Sequence, residues 1–125
     1  LDDRTTARAM ADVYAKGIKP DWWKLEPQAS PKAWQEISAV IDSCDPYCRG
    51  IVLLGLEAPE EVLEKGFQAV SGISKVKGFA VGRTIFNEAA QKWFSGSIGD
   101  DAAVAMMADR FGRLVELWNK AQKRA

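Results

Sequence analysis

The sequence contains no histidine, only two cysteines and no long apolar run, and each of these absences narrows the possible functions. Without imidazole there is no histidine general base, no Ser-His-Asp triad and no histidine-containing zinc site. No apolar stretch is long enough to cross a bilayer and the first residues do not form a signal peptide, so we expect no membrane association and a cytoplasmic location. The 17 basic and 17 acidic residues cancel to a net charge of zero, which argues against a nucleic-acid-binding protein.

The two cysteines, Cys44 and Cys48, lie four positions apart and could in principle hold a metal ion. Two thiolates are too few ligands for a zinc site, however, and the Asp45-Pro46 pair between them is typical of a turn. We therefore interpret them as two free thiols of a cytoplasmic protein, and the sequence indicates no metal and no cofactor.

Helical and extended segments alternate along the chain. Apolar residues spaced three and four apart predict the helices, and short apolar runs bounded by glycine or proline predict the strands. The predicted order is a helix from Asp3 to Lys16, a strand from Trp22 to Glu26, a helix with Ser30 as N-cap, a strand from Gly50 to Gly55, a helix opening at Pro59, a strand from Gly78 to Gly82, a short helix containing Ala90, Trp93 and Phe94, and a long last helix capped by Asp100 or Asp101.

The predicted strands recur at a regular interval. From Trp22 to Gly50 is 28 positions, and from Gly50 to Gly78 is again 28. Strands that alternate with helices in this way indicate βα units and a parallel sheet, and the almost uniformly apolar run from Gly50 to Gly55 is typical of a strand covered on both faces. We therefore predict an α/β fold with three parallel strands and flanking helices, in a single unit spanning residues 1–125.

Three strands are few for such a fold. A closed βα barrel needs eight units and roughly 250 residues, and an open doubly wound sheet usually has about five or six strands. Part of the apolar surface would be uncovered if three units stood alone, and exposed surface of that kind seeks a partner. We expect either strands missing upstream or association between copies.

Lys24 is the first candidate for chemistry, because ligands of parallel βα proteins bind at the carboxyl ends of the strands. An ammonium group is costly to bury between apolar neighbours, so this lysine should be paired or held neutral, and a neutral amine can attack a carbonyl to form a Schiff base. Glu26, two residues further on, would lie on the same face and could pair with it or carry protons. The alternative is a structural Lys-Glu pair, or an edge lysine that reaches solvent.

Gly55, Gly82 and Arg83 form the second candidate group, at the ends of the second and third predicted strands. Glycine lets a backbone approach a ligand closely, and a helix N-terminus nearby favours anions. The planar guanidinium of arginine suits phosphate. The alternative is two turn glycines and a solvated arginine, but the three together at matching strand ends favour a phosphate site.

Three segments carry a resemblance to a known family. Residues 20–27, 49–56 and 77–86 resemble the carboxyl-terminal domain of bacterial 5-dehydro-2-deoxygluconokinases, in which a sugar-kinase domain of myo-inositol catabolism precedes an aldolase-like barrel. The Lys-Leu-Glu and Gly-Arg elements are also similar to those of class I tagatose-bisphosphate aldolases. The resemblance covers nearly the whole chain and implies the carboxyl-terminal part of a (β/α)8 barrel, with strands six to eight and helices five to eight.

The resemblance also implies roles for individual residues. Lys24 would be the Schiff-base lysine on strand six. Gly55 would end strand seven, and Gly82 and Arg83 would end strand eight and hold the substrate phosphate. The implied lyase reaction cleaves 2-deoxy-5-keto-gluconate 6-phosphate into dihydroxyacetone phosphate and malonate semialdehyde, with no metal.

The sequence leaves other functions open. The chain could be a non-catalytic sugar-phosphate-binding or regulatory module fused to a sugar kinase, with Lys24 in a structural role. It could also be an assembly domain whose sheet edges pair with another subunit. The partners expected under these readings are a phosphorylated sugar acid, a missing amino-terminal barrel half with its kinase domain, or a second copy of the chain.

Overall fold

The computed structural model describes residues 2–55 and 57–123, and in these it contains five helices and three strands. The predicted alternation of helices and strands is confirmed. The elements in chain order are α1 (Thr5–Ala15), β1 (Trp22–Leu25), α2 (Pro31–Cys44), β2 (Gly50–Leu53), α3 (Glu60–Ala69), β3 (Val76–Phe79), α4 (Arg83–Phe94) and α5 (Asp100–Gln122).

The three strands form one parallel sheet in the order β1-β2-β3, so that neighbours in sequence are also neighbours in the sheet. Trp22 lies beside Gly50 and Lys24 beside Val52 in the first pair of strands. The second pair contains an irregularity between Ile51 and Val52. The sheet is flanked by helices and, over the described residues, does not close into a barrel. The carboxyl ends of all three strands meet at one edge.

Local sequence signals account for the helix that follows β1. The Ser30 hydroxyl accepts a hydrogen bond from the Lys32 backbone N–H at 3.2 Å, and Pro31 occupies the first helical position. The helical spacing of Trp34, Ile37 and Ile41 predicts that they share an inward face, and this is confirmed, since all three are buried. The same spacing predicts an inward face for α3, and Leu63, Phe67 and, just beyond the helix, Val70 are buried as well.

One face of the sheet packs against the helices. Leu25, Ile51 and Leu53 are buried there in a single cluster with side chains of α2, α3 and α5. Burying each such side chain stabilises the fold by about 1.5–3 kcal/mol. Alternate strand residues point to the other face. We call the first the packed face and the second, which carries Trp22, Lys24 and Val52, the open face.

The open face is only partly covered. Trp22 is 45% exposed, Lys24 is exposed and Val52 is half-buried. The expectation that β2 is covered on both faces is therefore met only in part. The helices of the described residues protect one side of the sheet well and leave much of the other side accessible.

The third strand begins earlier than predicted. It runs from Val76 to Phe79 and not from Gly78 to Gly82, and its ladder starts where Ile51 donates its N–H to the Lys75 carbonyl at 2.8 Å. Lys75 and Lys77 break the apolar pattern around this start. Lys77 is an exposed residue within the strand, and Lys75, just before it, pairs with Asp42 of α2.

The last helix is less buried than its sequence predicts. Apolar residues at helical spacing from Val104 to Trp118 predict one continuous core-facing stripe in α5, but Leu114 is buried while Val104 and Phe111 are 60% and 50% exposed. The predicted cap is wrong as well. The N-cap residue is Gly99, and the Asp100 carboxylate instead accepts a hydrogen bond from the indole N–H of Trp93 at 2.7 Å.

Among residues 2–55 and 57–123, no helix combines the length and the apolarity that a bilayer crossing requires.

Candidate functional site

Lys24 lies on the open face of β1, one residue before the strand ends. Its strand partner is Val52, and its neighbours Trp23 and Leu25 point to the packed face. The side chain is exposed in this structure. The expectation of a lysine buried between apolar neighbours is therefore wrong for the described residues, because those neighbours occupy the opposite side of the strand. The strand presents the amine at the edge where ligands of parallel sheets bind.

Gly55 is buried just beyond β2, and its carbonyl accepts a hydrogen bond from the Ala58 N–H at 2.9 Å. A Cβ atom at this position would lie 2.6 Å from Cγ1 of Val81 and 3.0 Å from Oγ1 of Thr84. Packing therefore explains why this residue is glycine. Because it has no side chain, the loop after β2 can lie in direct contact with the residues that follow β3.

Gly82 and Arg83 lie where the chain leaves β3 and enters α4. Gly82 is the N-cap residue, and its carbonyl accepts hydrogen bonds from the N–H groups of Ile85 and Phe86 at 2.8 and 3.2 Å. Arg83 is the first residue of the helix. A helix N-terminus carries a partial positive charge, so this position adds to the positive charge of the guanidinium.

Glu57 is the partner of Arg83 and was not predicted from the sequence. Its Oε1 atom lies 2.7 Å from Nε of Arg83. Its backbone has a φ of +55°, which makes it the one non-glycine residue in the left-handed region among the residues that the structure describes. The ion pair joins the turn after β2 to the start of α4.

These groups line one pocket at the carboxyl ends of the strands, with a volume of about 500 Å³. Of the five residues predicted from the sequence, four meet here, namely Lys24, Gly55, Gly82 and Arg83. The pocket also contains residues that sequence reasoning missed, which are Leu54, Glu57, Ala80, Val81, Thr84 and Phe86. Its charged lining residues are two cations, Lys24 and Arg83, and one carboxylate, Glu57.

A scan against protein-family models matched residues 1–122 to the family described as "Uncharacterized protein conserved in bacteria (DUF2090)". The chain belongs to this family. A search of curated proteins and a search of solved structures returned no match. The DUF2090 match thus covers almost the whole chain, including every residue of the pocket, and its description assigns no reaction to them.

Glu26 of this DUF2090 chain does not line the pocket. The predicted strand included it, but β1 ends at Leu25, so the two-residue alternation that would place Glu26 on the face of Lys24 does not extend that far. Glu26 is exposed, and its backbone carbonyl accepts a hydrogen bond from the Gln28 side chain at 2.8 Å.

A second pocket of about 380 Å³ adjoins the first and shares Glu57, Arg83 and Thr84 with it. Arg110 of α5 donates a hydrogen bond to the Thr84 carbonyl at 3.3 Å and also pairs with Glu88. This arginine therefore fixes the first turn of α4, which carries Arg83, against the last helix.

The charges around Glu88 are already paired. A hydrogen bond from Lys92 and the charges of Lys92 and Arg110 lower the pKa of the Glu88 carboxyl below its ordinary value. The charged side chains of the second pocket therefore hold the start of α4 against α5.

Within the described parts of the chain, the acidic and cysteine side chains form no group of three or more that could hold a metal ion.

Proposed function

We propose that this chain is the Schiff-base and phosphate-binding part of a class I aldolase that cleaves a phosphorylated keto-sugar acid. The observation that carries the proposal is that Lys24 and Arg83 line the same pocket at the carboxyl ends of three parallel strands. An amine and an anion-binding group on one cavity wall are what a keto-sugar phosphate requires. The amine reacts with the carbonyl while the arginine holds the phosphate.

The proposed chemistry follows from these two groups. The Lys24 amine attacks the substrate ketone and loses water to form an iminium ion. The iminium then accepts the electron pair that is released when the bond between the α and β carbons of the substrate breaks, while the β-hydroxyl loses its proton to water and becomes the aldehyde carbonyl. The phosphate held by Arg83 keeps the ketone close to the amine and so supplies proximity. The resemblance noted above points to 2-deoxy-5-keto-gluconate 6-phosphate as substrate, with dihydroxyacetone phosphate and malonate semialdehyde as products.

We also propose that the sheet is the carboxyl-terminal part of a (β/α)8 barrel. Two observations support this. The strand order is sequential, and the packed face takes up the helices while the open face stays accessible. In such a barrel the open face points to the interior and is covered by the other strands. That cover, from an amino-terminal barrel half or from a second copy, would remove water from Lys24, and a desolvated lysine is the better nucleophile.

Two observations favour a second function, that of a non-catalytic sugar-phosphate-binding module attached to a kinase. Lys24 is exposed and Glu26, which we expected to transfer protons, lies outside the pocket. Phosphate binding needs neither a desolvated amine nor a proton carrier. The two functions are separated by whether Lys24 becomes covalently linked to a ketone.

Reductive trapping tests the proposal. In the full-length protein, sodium borohydride in the presence of dihydroxyacetone phosphate should reduce the iminium to a stable amine on Lys24, which peptide mass spectrometry detects. Lys24→Arg should abolish the adduct. Lys77→Arg is the matched control, since Lys77 is also an exposed lysine of the sheet but lies at the other ends of the strands. A protein that binds phosphate without forming the adduct would support the binding module instead.

An assembly role is tested separately. Light scattering on the purified protein measures its mass in solution, and a well-folded monomer would contradict the role of an assembly domain whose sheet edges pair with another subunit.

We also propose that the protein is cytoplasmic. Both cysteines are free in the structure, as is usual in a reducing compartment.

A further inference from the structure

Glu57 forms an ion pair with Arg83, the residue that the proposed function assigns to binding the substrate phosphate. Oε1 of Glu57 lies 2.7 Å from Nε of Arg83, which makes this a close ion pair. A phosphate group bound by Arg83 would therefore compete with the carboxylate for the Nε side of the guanidinium.

The backbone at Glu57 makes this arrangement unusual. The Ala58 N–H donates a hydrogen bond to the Gly55 carbonyl, and Glu57, which lies in a turn just before Ala58, has a φ of +55°. Positive φ at a turn is the conformation that glycine or asparagine adopts most easily, and a longer side chain there costs about 1–3 kcal/mol. The turn therefore bears a strained residue whose carboxylate is aimed at Arg83.

The carboxylate also changes the charge of the pocket. With Lys24 and Arg83 as the cations of the lining, Glu57 reduces the formal charge of the described lining residues from +2 to +1. An anionic ligand meets a weaker positive field while the carboxylate is there. It meets a stronger field once the carboxylate has moved away.

The pair can open without a large penalty. The Arg83 side chain is 70% exposed and that of Glu57 is 42% exposed, so both groups are solvated when they separate. Exposed ion pairs are weak. A phosphate monoester carries a charge of about −1.5 to −2 near neutral pH and can bind arginine through two oxygens, which a single carboxylate contact at Nε does not match.

We propose that Glu57 is an internal competitor for the anion site: it pairs with Arg83 and leaves when a phosphate group binds. The inference rests on the proposed phosphate-binding role of Arg83 and adds a residue that sets how tightly phosphate is bound. The affinity for phosphate is reduced by the fraction of molecules in which the carboxylate still occupies the guanidinium.

Titration with inorganic phosphate at constant ionic strength tests the inference. Glu57→Gln in the full-length protein should bind phosphate roughly twofold to fivefold more tightly, the range that an exposed ion pair permits. Glu57→Asn is the second variant, since asparagine accepts positive φ and keeps the turn intact. Glu61→Gln, at an exposed position of α3, is the charge-matched control and should leave the affinity unchanged.

A double-mutant cycle with Arg83→Gln shows whether the two residues act on one another. Arg83→Gln should weaken phosphate binding, and Glu57→Gln should give a smaller gain in that background, because only the effect of the carboxylate on the charge of the pocket remains. A gain from Glu57→Gln that is equally large without Arg83 would overturn the competition. So would unchanged or weaker binding in both Glu57 variants, while phosphate binding that depends on Arg83 would leave the proposed function standing. If no protein in the series bound phosphate, the inference and the proposed phosphate site would fail together.

Discussion

The two faces of the sheet divide the molecule into a region that stabilises it and a region that can act. The packed face buries Leu25, Ile51 and Leu53 in one cluster with side chains of α1, α2, α3 and α5, and the open face leaves Lys24 and much of Trp22 in solvent. The same short strands supply both. Because alternate residues of a strand point in opposite directions, one sequence of four residues can build a core on one side and hold a reactive amine on the other. Changes on the two faces should therefore have separable effects.

The largest expected effect comes from the core beneath the packed face. Phe67 is fully buried, with its ring centroid 5.0 Å from that of Phe79 and 5.3 Å from that of Trp118. Phe67→Ala should lower the free energy of unfolding by about 3–5 kcal/mol, because it leaves a cavity. Urea denaturation measures this loss.

Trp22→Ala is the matched change on the open face. It removes a larger aromatic side chain, but one that is 45% exposed, so the free energy of unfolding should fall by no more than about 1 kcal/mol. If Trp22→Ala were as damaging as Phe67→Ala, the open face would have to be covered in solution and the contrast between the two faces would be wrong.

An intermediate effect is expected where the two loops of the pocket meet. Gly55→Ala places a methyl group 2.6 Å from Cγ1 of Val81, so it should destabilise the protein by about 1–3 kcal/mol through overpacking. Much of this loss should disappear in a Val81→Ala background, where the space is available. Urea denaturation of the two single variants and the double variant measures the coupling. If Gly55→Ala lowered the free energy of unfolding equally in both backgrounds, the loss would not arise from a clash with Val81.

The smallest effect depends on pH and concerns Glu88. Its pKa is lowered by the hydrogen bond from Lys92 and by the charges of Lys92 and Arg110, so the folded protein favours the ionised carboxyl. The resulting stabilisation is present above the ordinary pKa of 4.5 and is lost as the pH falls through the lowered value.

Thermal unfolding of Glu88→Gln measures this effect. The variant should have a slightly lower Tm than the parent near neutral pH, and the two values should converge in strong acid. Glu61→Gln, which changes the net charge by the same amount at an exposed position of α3, serves as the control. A difference in Tm that stayed constant down to acid pH would mean that the loss does not arise from the charge of Glu88.

Most of the fold could be predicted because its signals are local. Ser30 followed by Pro31 marks the start of α2, and the apolar run after Gly50 marks the central strand. The boundaries of β3 and the burial of α5 could not be predicted in the same way. The start of β3 was missed because a strand with one open face tolerates an exposed lysine, Lys77. The exposure of Phe111 was missed because the neighbours of α5 cover only a narrow stripe of that helix.

The candidate site shows the same limit. Lys24, Gly55, Gly82 and Arg83 could be expected to lie together because parallel strands bring their carboxyl ends to one edge. Glu26 was placed wrongly because β1 is one residue shorter than its sequence suggests. Glu57 could not be predicted, because no sequence signal in Leu-Glu-Ala indicates a residue with positive φ or an ion pair with Arg83, 26 positions further along the chain.

Trp22 gives the open face a built-in optical reporter. Its indole ring is 45% exposed, two residues before Lys24, whereas Trp34 is completely buried beneath the sheet. Indole fluorescence shifts to shorter wavelength when water leaves the ring, so any strand, subunit or domain that settles over this surface should change the emission of Trp22 and leave that of Trp34 unaltered. A Trp22→Phe variant should lose this spectral change, which would identify Trp22 as the responding ring. Docking on the open face can therefore be followed without an added label.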